Sequence, residues 1–354
     1  MPQSESRFLK ACRRQPVDAT PVWFMRQAGR YMAEYRKVRA RHSILEICKT
    51  PELATEVTVT AVEKLGVDAA IIFADLLLPV EPMGMRLRFA AGEGPVLENP
   101  LRDERAIAGL RSDGAGELGY VAEAIRRVHQ HFGGRIPVIG FAGAPFTLAS
   151  YMVEGGGSHS FVHTKTLLYR EPALWAALME KLCAVLEPYL LAQVEAGAAA
   201  VQLFDSWVGC LSEEDYRRYA LPYSWRLIEA VQRRGVPVIH FGTGTAALLG
   251  AMQEAGAHAL GVDWRIPLAR AWQEVGYRPA IQGNLDPVAL FAPQAELRRR
   301  VQEVLNQAAG RHGHIFNLGH GILPDTPVEN VRAVVEWVHE LSAAQQERTD
   351  KSVG

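Results

Sequence analysis

The chain has 354 residues, with 38 Lys and Arg against 39 Asp and Glu, and 48% of it is hydrophobic, which supports a large buried core. A formal net charge of -1 excludes a generally basic nucleic-acid binder, so any attraction for anions must come from local clustering of charge. No run reaches the roughly 18 apolar residues of a membrane span, and the opening MPQSESRFLKACRRQ has no apolar core leading to a small-residue cleavage site. Cys12, Cys48, Cys183 and Cys210 are scattered without a C-x-x-C pair, which points to a reducing cytoplasm.

In chain order, apolar runs rich in Val, Ile and Phe fall at 21–27 (PVWFMRQ), 68–75 (DAAIIFAD), 137–145 (PVIGFAGAP) and 198–206 (AAAVQLFDS). Four more follow at 237–244 (PVIHFGTG), 258–264 (HALGVDW), 279–287 (PAIQGNLDP) and 314–321 (HIFNLGHG). They are continuous rather than alternating, as strands covered on both faces are, and helical patterns lie between them. Thr50-Pro51 opens a helix that Gly66 can close, Ser212 to Asp215 forms an S-x-x-D start, and Thr326-Pro327-Val328-Glu329 reads as a capping box. Gly197, Gly235 and Gly256 stand where helix C-caps are wanted.

Eight such repeats predict an α/β fold, a single (β/α)8 TIM barrel domain over residues 1–354 with a frayed tail at about 346–354. The long connection 76–136 is expected to hold an inserted hairpin between the second and third strands, MRLRFAAGEGPVLENP around the turn Ala91-Gly92-Glu93-Gly94. A doubly wound sheet would need G-x-G-x-x-G after its first strand, and RQAGRY is not that.

Barrel active sites lie where the strands end, so the residues closing each run are candidates before any function is considered. They are Arg26 and Arg30, Asp75, Asp205 and Ser206, Gly242 to Thr245, Asp263, Asn284 and His320, with Tyr151 in the loop and helix start after the third run. Arg26 and Arg30 flank Gln27-Ala28-Gly29 at a strand-to-helix turn, where backbone N–H groups and guanidinium forks together can clasp carboxylates. Arg36 and Lys37 read instead as a solvated helix face. Asp75 is either a helix N-cap or a carboxylate facing the mouth beside apolar walls. No metal site is expected, because His240-Phe241-Gly242 has no nearby cysteine and Cys210 lacks a partner.

MRQAGRYMAEYRKVR resembles the arginine-rich N-terminal motif of the uroporphyrinogen decarboxylase family, and GFAGAPFTLASYMVEGGGS resembles that family's second signature. IIFADLLLPVEPMGM, LFDSWVGCLS, VIHFGTGT, IQGNLDP and NLGHGILPDTP extend the likeness over nearly the whole chain. The resemblance implies a single-domain barrel that decarboxylates the four acetate side chains of uroporphyrinogen III to give coproporphyrinogen III, on the way to haem. It implies no cofactor and no metal, and a homodimer, while cysteine usage points to the cytoplasm and the charge balance and lack of a long apolar run give no nucleic-acid or membrane partner. Substrate contacts would fall on Arg26, Gln27, Ala28, Gly29, Arg30, Asp75, Tyr151, Ser206 and His320, with Asp75, Arg26 and Arg30 catalytic.

The proton donor stays open, since arginine, with a solution pKa above about 12, is a poor acid at neutral pH. Two rival readings fit parts of the sequence. A corrinoid-dependent methyltransferase of the same superfamily would carry His-x-Cys after the fifth strand and a further Cys near the eighth, where this chain has His240-Phe241-Gly242 and Asn317-Leu318-Gly319-His320. A non-catalytic tetrapyrrole carrier would not require an anion such as Asp75 under the ring.

Overall fold

The computed structural model describes residues 6–90 and 94–353. Seven of its strands form one parallel sheet: β1 (Ala70–Ile71), β4 (Val138–Gly143), β5 (Ala198–Asp205), β6 (Val238–Gly242), β7 (Ala259–Gly261), β8 (Ala280–Gln282) and β9 (His314–Ile315), neighbours in that order. Between β1 and β4, an antiparallel pair, β2 (Leu87–Ala90) and β3 (Gly94–Leu97), sets Leu87 opposite Leu97 and Ala90 opposite Gly94. The turn residues Ala91, Gly92 and Glu93 lie outside the described residues. All six residues of β4 are buried, as continuous apolar strands covered on both faces must be.

The expected first strand is not one. Over 21–27 the chain makes a single parallel bridge, Val22 to Phe316, and Pro21 brings no N–H to a ladder. Its bonds go elsewhere: Phe316 N–H donates to Pro21 O (2.8 Å), Asp68 N–H to Val22 O (2.8 Å) and Ile322 N–H to Met25 O (3.0 Å). The segment thus bonds to chain adjoining both edge strands, and the seven-stranded sheet curls around to it.

Asp68 fixes this segment with its side chain. Oδ2 accepts from Val22 N–H (2.7 Å) and lies 2.7 Å from His339 Nε2 in the last helix, while Oδ1 accepts from Arg7 Nη1 (3.3 Å) in the first. Across the interior, Trp23 Nε1–H donates to Gln282 Oε1 (3.0 Å) and Gln282 Nε2–H to Gln202 Oε1 (2.9 Å), joining the first segment, β8 and β5.

The helix expected from Thr50-Pro51 to Gly66 runs Pro51–Leu65, and Ser212 caps Glu213–Tyr219 by accepting from Asp215 N–H (3.1 Å). The Thr326 capping box does not form. The helix Val328–Val353 starts after Pro327, whose carbonyl accepts from Asn330 and Val331, and the buried Thr326 Oγ1 has no hydrogen-bond partner among the described residues. The side chains from 345 onward, including the tail expected to fray, lie outside the described residues. No helix among the described residues is long and apolar enough to cross a membrane.

Candidate active site

The runs predicted as strands outlast the strands, and the surplus residues build a mouth at the C-terminal end of the sheet. At the first, Arg26 sits in the left-handed region (φ 59°) with an exposed side chain. Gln27 turns the other way: its buried amide donates to Ala69 O (3.1 Å) and accepts from Phe24 N–H (3.2 Å), while its carbonyl accepts from Tyr31 OH (2.6 Å). Gln27 therefore fastens the turn to the strand beside it, and the N–H groups of Ala28, Gly29 and Arg30 have no acceptor among the described residues. Arg30 is exposed, and its charge reaches Tyr35.

Asp75 follows β1. One carboxylate oxygen accepts from Leu77 N–H (2.9 Å), closing a tight turn rather than capping a helix. Burial raises the pKa of Asp75 above the ordinary carboxylate value, against the lowering effects of the Leu77 N–H and of Arg26. Tyr151, on the helix Pro145–Glu154, is pushed up to about 12 by burial and by Asp75, with Arg26 opposing. His320 is held down at about 4 by burial, then by Arg26 and Arg265. Its Nδ1 accepts from Gly321 N–H (2.6 Å), so the neutral ring carries its proton on Nε2.

Arg26 is thus common to Asp75, Tyr151 and His320, three residues from separate parts of the sequence. Two glycines make room for this. A Cβ on Gly321 would lie 2.4 Å from Arg26 Cδ, and one on Gly319 would lie 2.5 Å from Trp264 N.

Ser206, at the end of β5, is half-buried, and its carbonyl accepts from Thr243 Oγ1–H (2.5 Å). Behind it a buried relay runs through Thr147, whose hydroxyl donates to Asp205 Oδ1 (2.8 Å) and accepts from Trp207 N–H (3.3 Å). Asp205 Oδ2 lies 3.5 Å from His240 Nε2, both side chains being fully buried. Asp263 and Asn284, candidates by position, work on the frame. Asp263 accepts from the N–H groups of Gly244 (2.6 Å) and Arg265 (3.0 Å), and Asn284 Nδ2–H donates to Asp263 O (2.9 Å) and Ile266 O (2.7 Å).

Sequence reasoning missed Thr147, Trp207 and Arg265. Thr147 and Trp207 stand inside quoted motifs and Arg265 four residues past the end of β7, but nothing in the pattern says what each one touches.

Polar chemistry gathered where parallel strands end makes this mouth the candidate active site of an α/β fold. The sequence profile described as Uroporphyrinogen decarboxylase (URO-D) matches residues 3–341. The chain is 59% identical over 344 residues to the uroporphyrinogen decarboxylase of Koribacter versatilis, covering 97% of this chain and 98% of that one. It is 58% identical over 339 residues to that of Sorangium cellulosum, covering 96% and 97%. The chain belongs to the uroporphyrinogen decarboxylase family, a family of carboxy-lyases. Its fold is shared with a methyltransferase from Methanosarcina mazei at a TM-score of 0.80 and 23% identity, covering 95% of this chain and 99% of that one.

Proposed function

We propose that the chain removes carbon dioxide in turn from the four acetate side chains of uroporphyrinogen III, leaving methyl groups and giving coproporphyrinogen III. The observation that carries this reading is the match to uroporphyrinogen decarboxylases over nearly the whole chain, with the Arg26 side chain packed against Gly321, next to His320, at the mouth of the sheet.

Loss of carbon dioxide from an alkyl acetate would leave an unstabilised carbanion. A pyrrole avoids this once a proton adds to the ring carbon adjacent to the acetate-bearing one. The ring becomes cationic, and the pair released as the carbon–carboxylate bond breaks flows into it, leaving an exocyclic methylene. A proton then adds to the methylene to make the methyl group, and the ring proton leaves to restore the pyrrole. The ring is its own electron sink, so the chemistry calls for no metal or organic cofactor.

Asp75 supplies the anion that faces the cationic ring and its N–H groups. Burial disfavours its charge in the empty site, and ring N–H donors and developing positive charge offset that penalty when substrate is bound. Arg26 holds the reacting carboxylate, and the N–H groups of Ala28, Gly29 and Arg30 with the Arg30 guanidinium receive carboxylates arriving at the rim. Tyr151 and neutral His320 orient by hydrogen bonding, His320 donating through Nε2, and Ser206 adds a hydroxyl beside them.

The scaffold is a single-domain (β/α)8 barrel closed by the segment from Pro21, with β2 and β3 inserted as a hairpin. The bonds of that segment to both edges support the closure. Family likeness supports a homodimer acting in the cytoplasm.

The test is anaerobic incubation of the purified protein with uroporphyrinogen III and a metal chelator, separating the oxidised products by carboxyl number. Stepwise seven-, six-, five- and four-carboxyl products are expected. Unchanged substrate in the presence of folded protein would overturn the reading.

A further inference from the structure

Uroporphyrinogen carries four propionates besides its acetates, and the groups around Arg26 are occupied with the side chain that reacts. Resting on the decarboxylase reading above, we propose that Arg265 is a second guanidinium of the mouth, which binds a propionate carboxylate kept from the first substrate to the final product.

The placement comes from Gly319-His320-Gly321. Gly321 is pressed against the Arg26 side chain, with Cδ, Cγ and Nε 2.4, 2.7 and 3.0 Å from where a Cβ would stand. Gly319 is pressed on the other side against the backbone of Asp263 and Trp264, with Asp263 C at 3.0 Å and Trp264 N at 2.5 Å. His320 therefore lies between two segments that each bring a guanidinium, Arg26 directly and Arg265 as the residue after Trp264. The same order is felt in its titration, which both cations hold down.

Arg265 is also held in readiness. Its guanidinium stacks over the Trp264 ring at 4.3 Å, its Nη1 pairs with Asp263 Oδ2, and its side chain remains 54% exposed. Asp263, by contrast, is 3% exposed and shares its carboxylate with two backbone N–H groups. That leaves Nε and Nη2 of Arg265 without an acceptor among the described residues, one edge of a planar fork shaped for a carboxylate. A group bound there sits across His320 from Arg26, which holds the reacting carboxylate, so it is not the acetate under reaction. The longer propionate arm suits the outer position, and it alone survives all four rounds.

The test compares wild-type protein with Arg265→Gln and Arg265→Lys in anaerobic steady-state assays on the eight-carboxyl and five-carboxyl porphyrinogens. Thermal melting serves as the folding control. Arg265→Gln is expected to raise KM about tenfold on both substrates with kcat within about twofold, and Arg265→Lys to recover part of the loss by retaining the charge. Fluorescence titration with coproporphyrin, which keeps propionates but no acetates, is expected to show a matching loss of affinity. A KM unchanged on both substrates, a loss confined to the eight-carboxyl substrate, or equal effects of Lys and Gln would each overturn the proposal. An inactive wild-type protein would instead overturn the decarboxylase reading.

Discussion

Tyr151 and Trp207 lie face to face, their ring centroids 3.6 Å apart and their planes 26° from parallel. Phe161 meets the Trp207 ring at 5.2 Å and 66°, so the indole is boxed in and Tyr151 leans on a fixed surface. Trp207→Leu should release that surface. We expect kcat/KM to fall about 5- to 20-fold while the far-ultraviolet spectrum stays native, and unchanged kinetics would separate the stack from function.

Thr147 carries the next link, donating to Asp205 and accepting from Trp207 N–H. Thr147→Val keeps the shape and removes both bonds in a fully buried place. The loss should be about 1–3 kcal/mol in denaturant unfolding, with a lowered kcat/KM. Thr147→Ser should restore most of each. A valine variant as stable and as active as wild type would show that the relay has no weight.

Asp75 should separate activity from stability. Burial raises its folded pKa, so its contribution to stability is fully present below the unfolded value and is lost as pH rises through the folded one. At neutral pH, above the unfolded value, the carboxyl therefore weighs against the stability of the empty protein. Asp75→Asn is expected to raise the melting temperature slightly at pH 7 while removing most turnover, and near-normal turnover would take Asp75 out of the mechanism.

The histidines work in the opposite sense. His320 and His314 are both held at about 4, by burial first in each case, below an ordinary value of about 6.5. Between these values the unfolded chain binds protons that the folded one refuses, so stability falls as pH drops from about 6.5 through about 4. Unfolding free energies measured across that window should decline less steeply in His320→Asn. An identical slope would mean that His320 is not a buried neutral imidazole.

Gly321→Ala and Gly319→Ala should fail differently. The first collides with the middle of the Arg26 side chain, which can move, and should lower kcat/KM by at least about tenfold at nearly unchanged melting temperature. The second collides with the Trp264 backbone, which cannot easily give way, and should lower both. Calorimetry beside kinetics distinguishes the two, and matching losses of stability would refute the distinction.

The strand-end rule read Arg26, Asp75 and His320 from sequence because a parallel sheet sends one end of every strand to the same mouth. Gln27, taken as a substrate contact, spends its side chain on Ala69 and Phe24, which the motif could not reveal because the bond to Ala69 spans 42 positions. The first run was apolar enough for a strand, yet Pro21 and the side chain of Asp68 replace its ladder by single bonds. Thr326 matched a cap pattern, but Pro327 receives the first helical N–H groups in its place. Trp207 owes its position to Tyr151, Phe161 and Thr147, all distant in sequence, and although Arg265 is held by its neighbours Asp263 and Trp264, the approach of Gly319 to Trp264 is one no local period records.

Asp68 gathers Arg7, Val22 and His339 on one carboxylate, so the first and last helices are tethered to the same segment four residues before Arg26. During synthesis the ribosome makes His339 long after the motif around Arg26. Until then that segment hangs by one tether fewer, and Asp68 gains its last partner only when the final helix docks. A chain cut short within that helix would carry every residue of the mouth and still present Arg26 from an unfinished mount.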